Sequence, residues 1–135
     1  MIAKTYVDIE LMCRDWLRAG PVGALTTNIF QSMPASSPVP SVIGQRVGGA
    51  PMRNEDLPAD RSRMSWDCWH TNRPDCYALS AAVITEIENL SQTGGYKTFT
   101  GLLLVGEVIG WHWLPDPASD TPRYIVDALM VAVAV

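Results

Sequence analysis

The stretch RSRMSWDCWHTNRPDCYALSAAVITEIENLSQTGG, residues 61–95, changes its hydrophobic period once, and that change decides the fold class. From Arg61 to His70 apolar and polar residues alternate. Met64, Trp66 and Cys68 point one way and Arg63, Ser65, Asp67 and Trp69 the other, as in a half-exposed strand. The period then lengthens to that of a helix, with Cys76, Leu79, Val83, Ile87 and Leu90 on one apolar stripe. Asn72 or Arg73 caps this helix, Pro74 suits its first turn and Asp75 favours the positive end of its dipole. Gly94-Gly95 stops it.

Upstream, a helix is expected from Val7 to Arg18. Ile9, Met12, Cys13, Trp16 and Leu17 form its buried face, and Glu10, Arg14, Asp15 and Arg18 take the other. Thr5 and Asp8 stand where a capping pair would, and Gly20-Pro21 ends the helix. A strand over Ala24–Phe30 is closed by the proline-rich run Met33–Pro40, and a second strand covers Ser41–Val47. Gly48-Gly49-Ala50-Pro51 then opens a polar stretch reaching Asp60. Its glycines, prolines and the charges of Arg53, Glu55, Asp56 and Asp60 predict an irregular, mobile loop. Downstream come Gly101–Gly106, an alternating strand over Val108–Leu114, the turn Pro115-Asp116-Pro117, and a last strand over Arg123–Val135. Both faces of that strand are apolar, so it belongs at the sheet centre or under an interface. The expected fold is α/β of the α+β kind: one domain over residues 1–135, with a single mixed or antiparallel sheet of four to five strands packed by two helices.

Composition narrows the function. A chain of 135 residues is the size of one domain and buries roughly two thirds of its unfolded surface without disulfides or metal. Hydrophobic residues at 47% and charged ones at 18% exclude wholesale disorder. The net charge of -4, with its ten Lys and Arg scattered, argues against sequence-specific binding of nucleic acid. Three cysteines, an odd number, point to a reducing compartment. The opening MIAKTYVDIELMCRDW lacks the apolar core of a signal peptide. The apolar end, Tyr124–Val135, is about a dozen residues against the ~20 that span a bilayer, so neither membrane insertion nor processing is expected.

Candidate chemistry is sparse. Cys68, His70 and Cys76, with His112 more distant, form the best cluster for a metal, but their spacing fits no standard zinc template. No elbow or catalytic-cysteine signature surrounds any nucleophile. Gly48-Gly49 and Gly94-Gly95 belong to turns rather than to a phosphate-binding loop, and Glu86 and Glu88 read as a solvated helix face. The expectation is no catalytic residue, no metal and no cofactor. The tryptophans point instead to assembly. Trp66 is a core residue, whereas Trp69 and the shared face of Trp111 and Trp113 suit anchors on the outer face of a sheet, buried by a partner.

Three short motifs carry a resemblance. Gln45-Arg46-Val47-Gly48-Gly49, Leu114-Pro115-Asp116-Pro117 and Thr121-Pro122-Arg123-Tyr124, in this order within this succession of elements, resemble the tail terminator proteins of long-tailed phages, especially those of actinobacterial hosts. The resemblance covers nearly the whole chain in layout. It implies a homohexameric ring on the head-proximal end of the tail tube, assembled in the host cytoplasm and carried in the virion. Such a ring stops polymerisation of the major tail tube protein, then docks to the head–tail connector or head-closure protein while the genome passes through its lumen. With the loop charges and the outer-face tryptophans, the candidate interface residues are Arg46, Arg53, Glu55, Asp56, Trp69, Trp111, Trp113 and Asp116. The alternatives are another neck component, such as a tail-completion or head-closure protein, and a small enzyme or ligand-binding domain using the Cys68–His70 region.

Overall fold

The computed structural model describes residues 5–54 and 57–135. Helix α1 (Ile9–Ala19) starts at Asp8, whose carboxylate accepts the Leu11 N–H at 3.2 Å. A five-residue helix α2 (Pro21–Leu25) follows, with proline at its first position. Then come β1 (Ile29–Phe30), β2 (Ser41–Asn54), β3 (Leu57–Trp69), α3 (Arg73–Asn89), β4 (Tyr96–Lys97), β5 (Gly101–Trp113) and β6 (Arg123–Ala134). The strands form one sheet in the order β1-β2-β3-β6-β5-β4. Only the β1–β2 pair is parallel, so the fold is mixed α+β as expected. Among the described residues the sheet has six strands and is packed by three helices, more than the four to five strands and two helices read from the sequence.

The helices pack on one face of this sheet. Ile9, Met12, Cys13, Trp16 and Leu17 of α1, Val22 of α2, and Leu79, Val83 and Ile87 of α3 share a single core with Val42, Met64, Trp66, Cys68, Leu103, Val126, Ala128, Met130 and Ala132. Strand β6 runs between β3 and β5, and every second residue from Tyr124 to Ala134 is buried. Its alternate residues are half-buried, which accounts for the apolar character of both its faces. Close approach of α3 depends on Gly106, where an added Cβ would stand 2.8 Å from the Ile87 side chain.

Several expectations are corrected. The strand over Ala24–Phe30 reduces to Ile29–Phe30, because Pro21 starts a helical turn that runs to Leu25. In place of the loop expected over Gly48–Asp60, the described residues Gly48–Asn54 and Leu57–Asp60 are paired strand, part of a β2–β3 ladder that runs from Ser41↔Trp69 to Asn54↔Leu57. A register shift between Arg46 and Gly48, and Gly49 at φ 116°, absorb the glycines within the ladder. Glu86 is buried rather than solvated. Its Oε1 accepts the Val22 N–H at 2.5 Å, which fastens α2 to α3, and burial pushes its carboxyl above the ordinary 4.5.

Candidate functional site

The residues singled out in the sequence settle in separate places. Arg46 is engaged internally. Its N–H donates to Glu10 Oε2 at 2.9 Å, and its guanidinium donates to Ser62 Oγ at 2.9 Å and to the largely buried Asp60 Oδ1 at 3.0 Å. It therefore ties β2 to both β3 and α1. Arg53 lies opposite Pro58 near the end of the β2–β3 ladder, and Glu55 and Asp56 fall outside the described residues. Asp116 organises the β5–β6 connection, accepting from Ala118 N–H at 3.2 Å and Ser119 Oγ at 2.6 Å. Those hydrogen bonds, the one from Ser119 first, hold its carboxyl below the ordinary 3.8.

Trp111 and Trp113 do share a face, but it is the helix-covered one. Trp111 stacks on Tyr77 of α3 with centroids 4.9 Å apart, and its Nε1–H donates to Ser80 Oγ at 3.0 Å. The Arg73 guanidinium lies 4.3 Å from the centre of the Trp113 ring, and its Nε–H donates to the Tyr124 hydroxyl at 3.2 Å. The reason is an irregularity at Ile109. The register shifts between Val108 and Gly110, so Val108 and Trp111 face the same way although simple alternation would oppose them. Trp69 does lie on the opposite face. Arg123 covers its ring at 4.7 Å while reaching Asp67 at 3.5 Å, and Arg63 stands 3.7 Å from Asp127. Burial, with the charge of Asp127, pushes the Asp67 carboxyl up against the opposing pull of Arg123.

Of the Cys68–His70 region only Cys68 lies in the core, and Trp69 and His70 are half-buried. Cys68 and Cys76 are buried, and the Cys76 thiol donates to the Cys68 carbonyl at 3.0 Å. His70 accepts the Thr71 N–H on its Nδ1 at 2.8 Å. Among the described residues no three His, Cys, Asp or Glu side chains are grouped to hold a metal ion. Burial raises the pKa of all three thiols, Cys13, Cys68 and Cys76, so the neutral S–H is their form at neutral pH. Accordingly, native protein at pH 8 should give no rapid reaction with a disulfide-exchange reagent, and unfolded protein should release three equivalents. One fast native equivalent, abolished by Cys68→Ser, would restore a reactive site there.

The most exposed binding features of the sheet are its edges. On one side β1 pairs only with Val42 and Ile43 of β2; on the other, β4 pairs only with Leu102 and Leu103 of β5. Among the described residues, β2 from Gly44 to Asn54 and β5 from Leu104 to Trp113 have no further strand beside them. Val47 and Met52 on the first edge, and Leu104, Ile109 and Trp111 on the second, are exposed. Sequence reasoning missed both edges, because a strand's position in a sheet is a property of pairing rather than of local pattern. Comparison with protein-family models and with curated proteins found no match to this chain. No helix among the described residues is long and apolar enough to cross a membrane.

Proposed function

We propose that this chain is a structural assembly subunit that closes into a ring on the head-proximal end of a phage tail tube, ends its polymerisation and offers the docking surface for the head connector. The observation that carries the reading is the pair of edges, on opposite sides of one sheet, beside which no further strand lies among the described residues. Long free edges invite further strands. The β2 edge and the β5 edge are different surfaces, so pairing one with the other joins copies head to tail. Such a contact produces a closed ring when the rotation between neighbours divides the circle.

The motifs behind the resemblance support the same reading by their positions. Gln45-Arg46-Val47-Gly48-Gly49 lies along the β2 edge, and the other two flank the β5–β6 turn. The ring is a homohexamer, its partners are the major tail tube protein and the head–tail connector or head-closure protein, and its place is the tail of the virion. The genome passes through the lumen without sequence-specific contact. Each contact with the tube is modest alone, because joined subunits bind the tube end multivalently.

The test is deletion of the gene from its phage, with electron microscopy of the lysate. Overlong tubes without heads, rescued by the protein supplied in trans, are expected. Normal tails correctly joined to heads would end this reading. Finished tails of normal length left unattached would move it to another neck component.

A further inference from the structure

The β2 edge is not bare along its whole length. At its start the Val42 N–H points away from β3 and donates to the Asn28 carbonyl at 2.8 Å, and β1 then covers the edge as far as Ile43. Amides of alternate residues leave a strand on the same side. Arg46, four positions on and still ahead of the register shift, therefore turns its N–H outward as Val42 does. That N–H lies beyond the end of β1, and the Glu10 carboxylate accepts it at 2.9 Å. A side chain of α1 thus stands where the carbonyl of a further strand would stand.

The contact is made at the surface, with Glu10 half-buried and Arg46 exposed. Neither element depends on it. Helix α1 is capped by Asp8 and anchored by Ile9, Met12, Cys13, Trp16 and Leu17, and the Arg46 guanidinium is held by Ser62 and Asp60. Its level in the sheet is also specific. Arg46 pairs with Met64, Met64 with Ala128 and Ala128 with Val108, so one row leads from the covered amide to the irregularity at Ile109 on the far edge. A sheet that continues from copy to copy at constant level sets that part of β5 beside Arg46.

We propose that Glu10 is a latch on the β2 edge, which keeps free copies apart and is displaced when the β5 edge of a second copy brings a backbone carbonyl to the Arg46 N–H. This rests on the edge-to-edge ring reading and adds a competitor to its joint. Carboxylate and strand exclude one another, because a backbone amide has one hydrogen to donate. Each joint therefore gives up one charge-assisted hydrogen bond as it forms. Association of free copies is weakened by that loss, and the tube end, where several contacts act together, drives closure.

Sedimentation of the full chain, with electron microscopy of tube ends, tests the latch. Glu10→Ala should associate at a concentration about tenfold lower than the wild type, the scale of one charge-assisted hydrogen bond no longer given up. Glu10→Gln loses the charge but keeps an acceptor oxygen, so it should stay nearer the wild type. An equal gain in both variants would assign the effect to net charge and overturn the latch. Val47→Lys added to Glu10→Ala should cancel the gain, since it opposes a strand at the same edge. A gain that survives it would place association on another surface and overturn the latch too. Wild-type capping of tubes, with a Glu10→Ala chain that associates no more readily, would overturn the latch and leave the ring reading standing. No association and no capping by either chain would overturn the ring reading and the latch with it.

Discussion

Trp66→Ala is expected to remove about 4 kcal/mol of folding stability, the usual scale for truncating a fully buried tryptophan. Domains of this size are stable by only ~5–15 kcal/mol, so the variant sits at the margin of folding. Trp66 is 1% exposed and lies on the helix-covered face of β3, between Gly44 of β2 and Val126 of β6. Gly44 is what admits the indole, since a Cβ there would stand 2.6 Å from Trp66 Nε1. Gly44→Val should therefore destabilise from the other side, by roughly 1–3 kcal/mol of overpacking. Trp113→Ala provides the contrast, because Trp113 is only half-buried and loses less contact on truncation. Urea unfolding followed by far-UV circular dichroism measures all three. A loss below about 1 kcal/mol for Trp66→Ala would mean that the core does not depend on this ring.

What the sequence disclosed depends on whether the signal was local. The start of helix α3 was legible, because its cap at Asn72, its proline and its apolar stripe all lie within its own segment, although the helix ends at Asn89, ahead of the Gly94-Gly95 stop. For β6, two apolar faces pointed to the sheet centre or to an interface, and the strand lies at the centre, between β3 and β5. The far part of the β2–β3 ladder was not legible. Gly48, Gly49 and Pro51 are loop formers by local rule, yet on an edge strand glycine serves a bulge and proline is tolerated. Their partners, Arg63, Ser62 and Asp60, lie too far along the chain for local pattern to reveal the pairing. The same limit applies to Trp111 and Trp113. Their shared face was read correctly, but the irregularity at Ile109 turned that face toward α3, and no alternation rule shows a bulge. Glu86 is a further case: its partner is the N–H of Val22, 64 positions away.

Lysine at either free sheet edge is expected to abolish ring formation while leaving the monomer folded. Ile109 on β5 and Val47 on β2 are exposed, 46% and 54%, so Ile109→Lys and Val47→Lys should each change monomer stability by no more than about 0.5 kcal/mol. At a strand edge, however, a lysine opposes the approach of another strand. A head-to-tail ring uses both edges at every joint, so one substitution acts at all of them. If each joint weakens by about 1 kcal/mol, a ring of six loses about 6 kcal/mol, on the order of a 10⁴-fold shift. Native mass spectrometry with electron microscopy of tube ends should show neither variant forming rings nor capping tubes. The mixture is the sharper measurement. Chains with Ile109→Lys retain an intact β2 edge and chains with Val47→Lys an intact β5 edge, so the two together should make one sound joint and stop at a heterodimer. Larger rings from the mixture, or normal rings from either variant alone, would show that the edges are not the joints. A mixture that stays monomeric would count equally against head-to-tail pairing, because its one undamaged joint should still form.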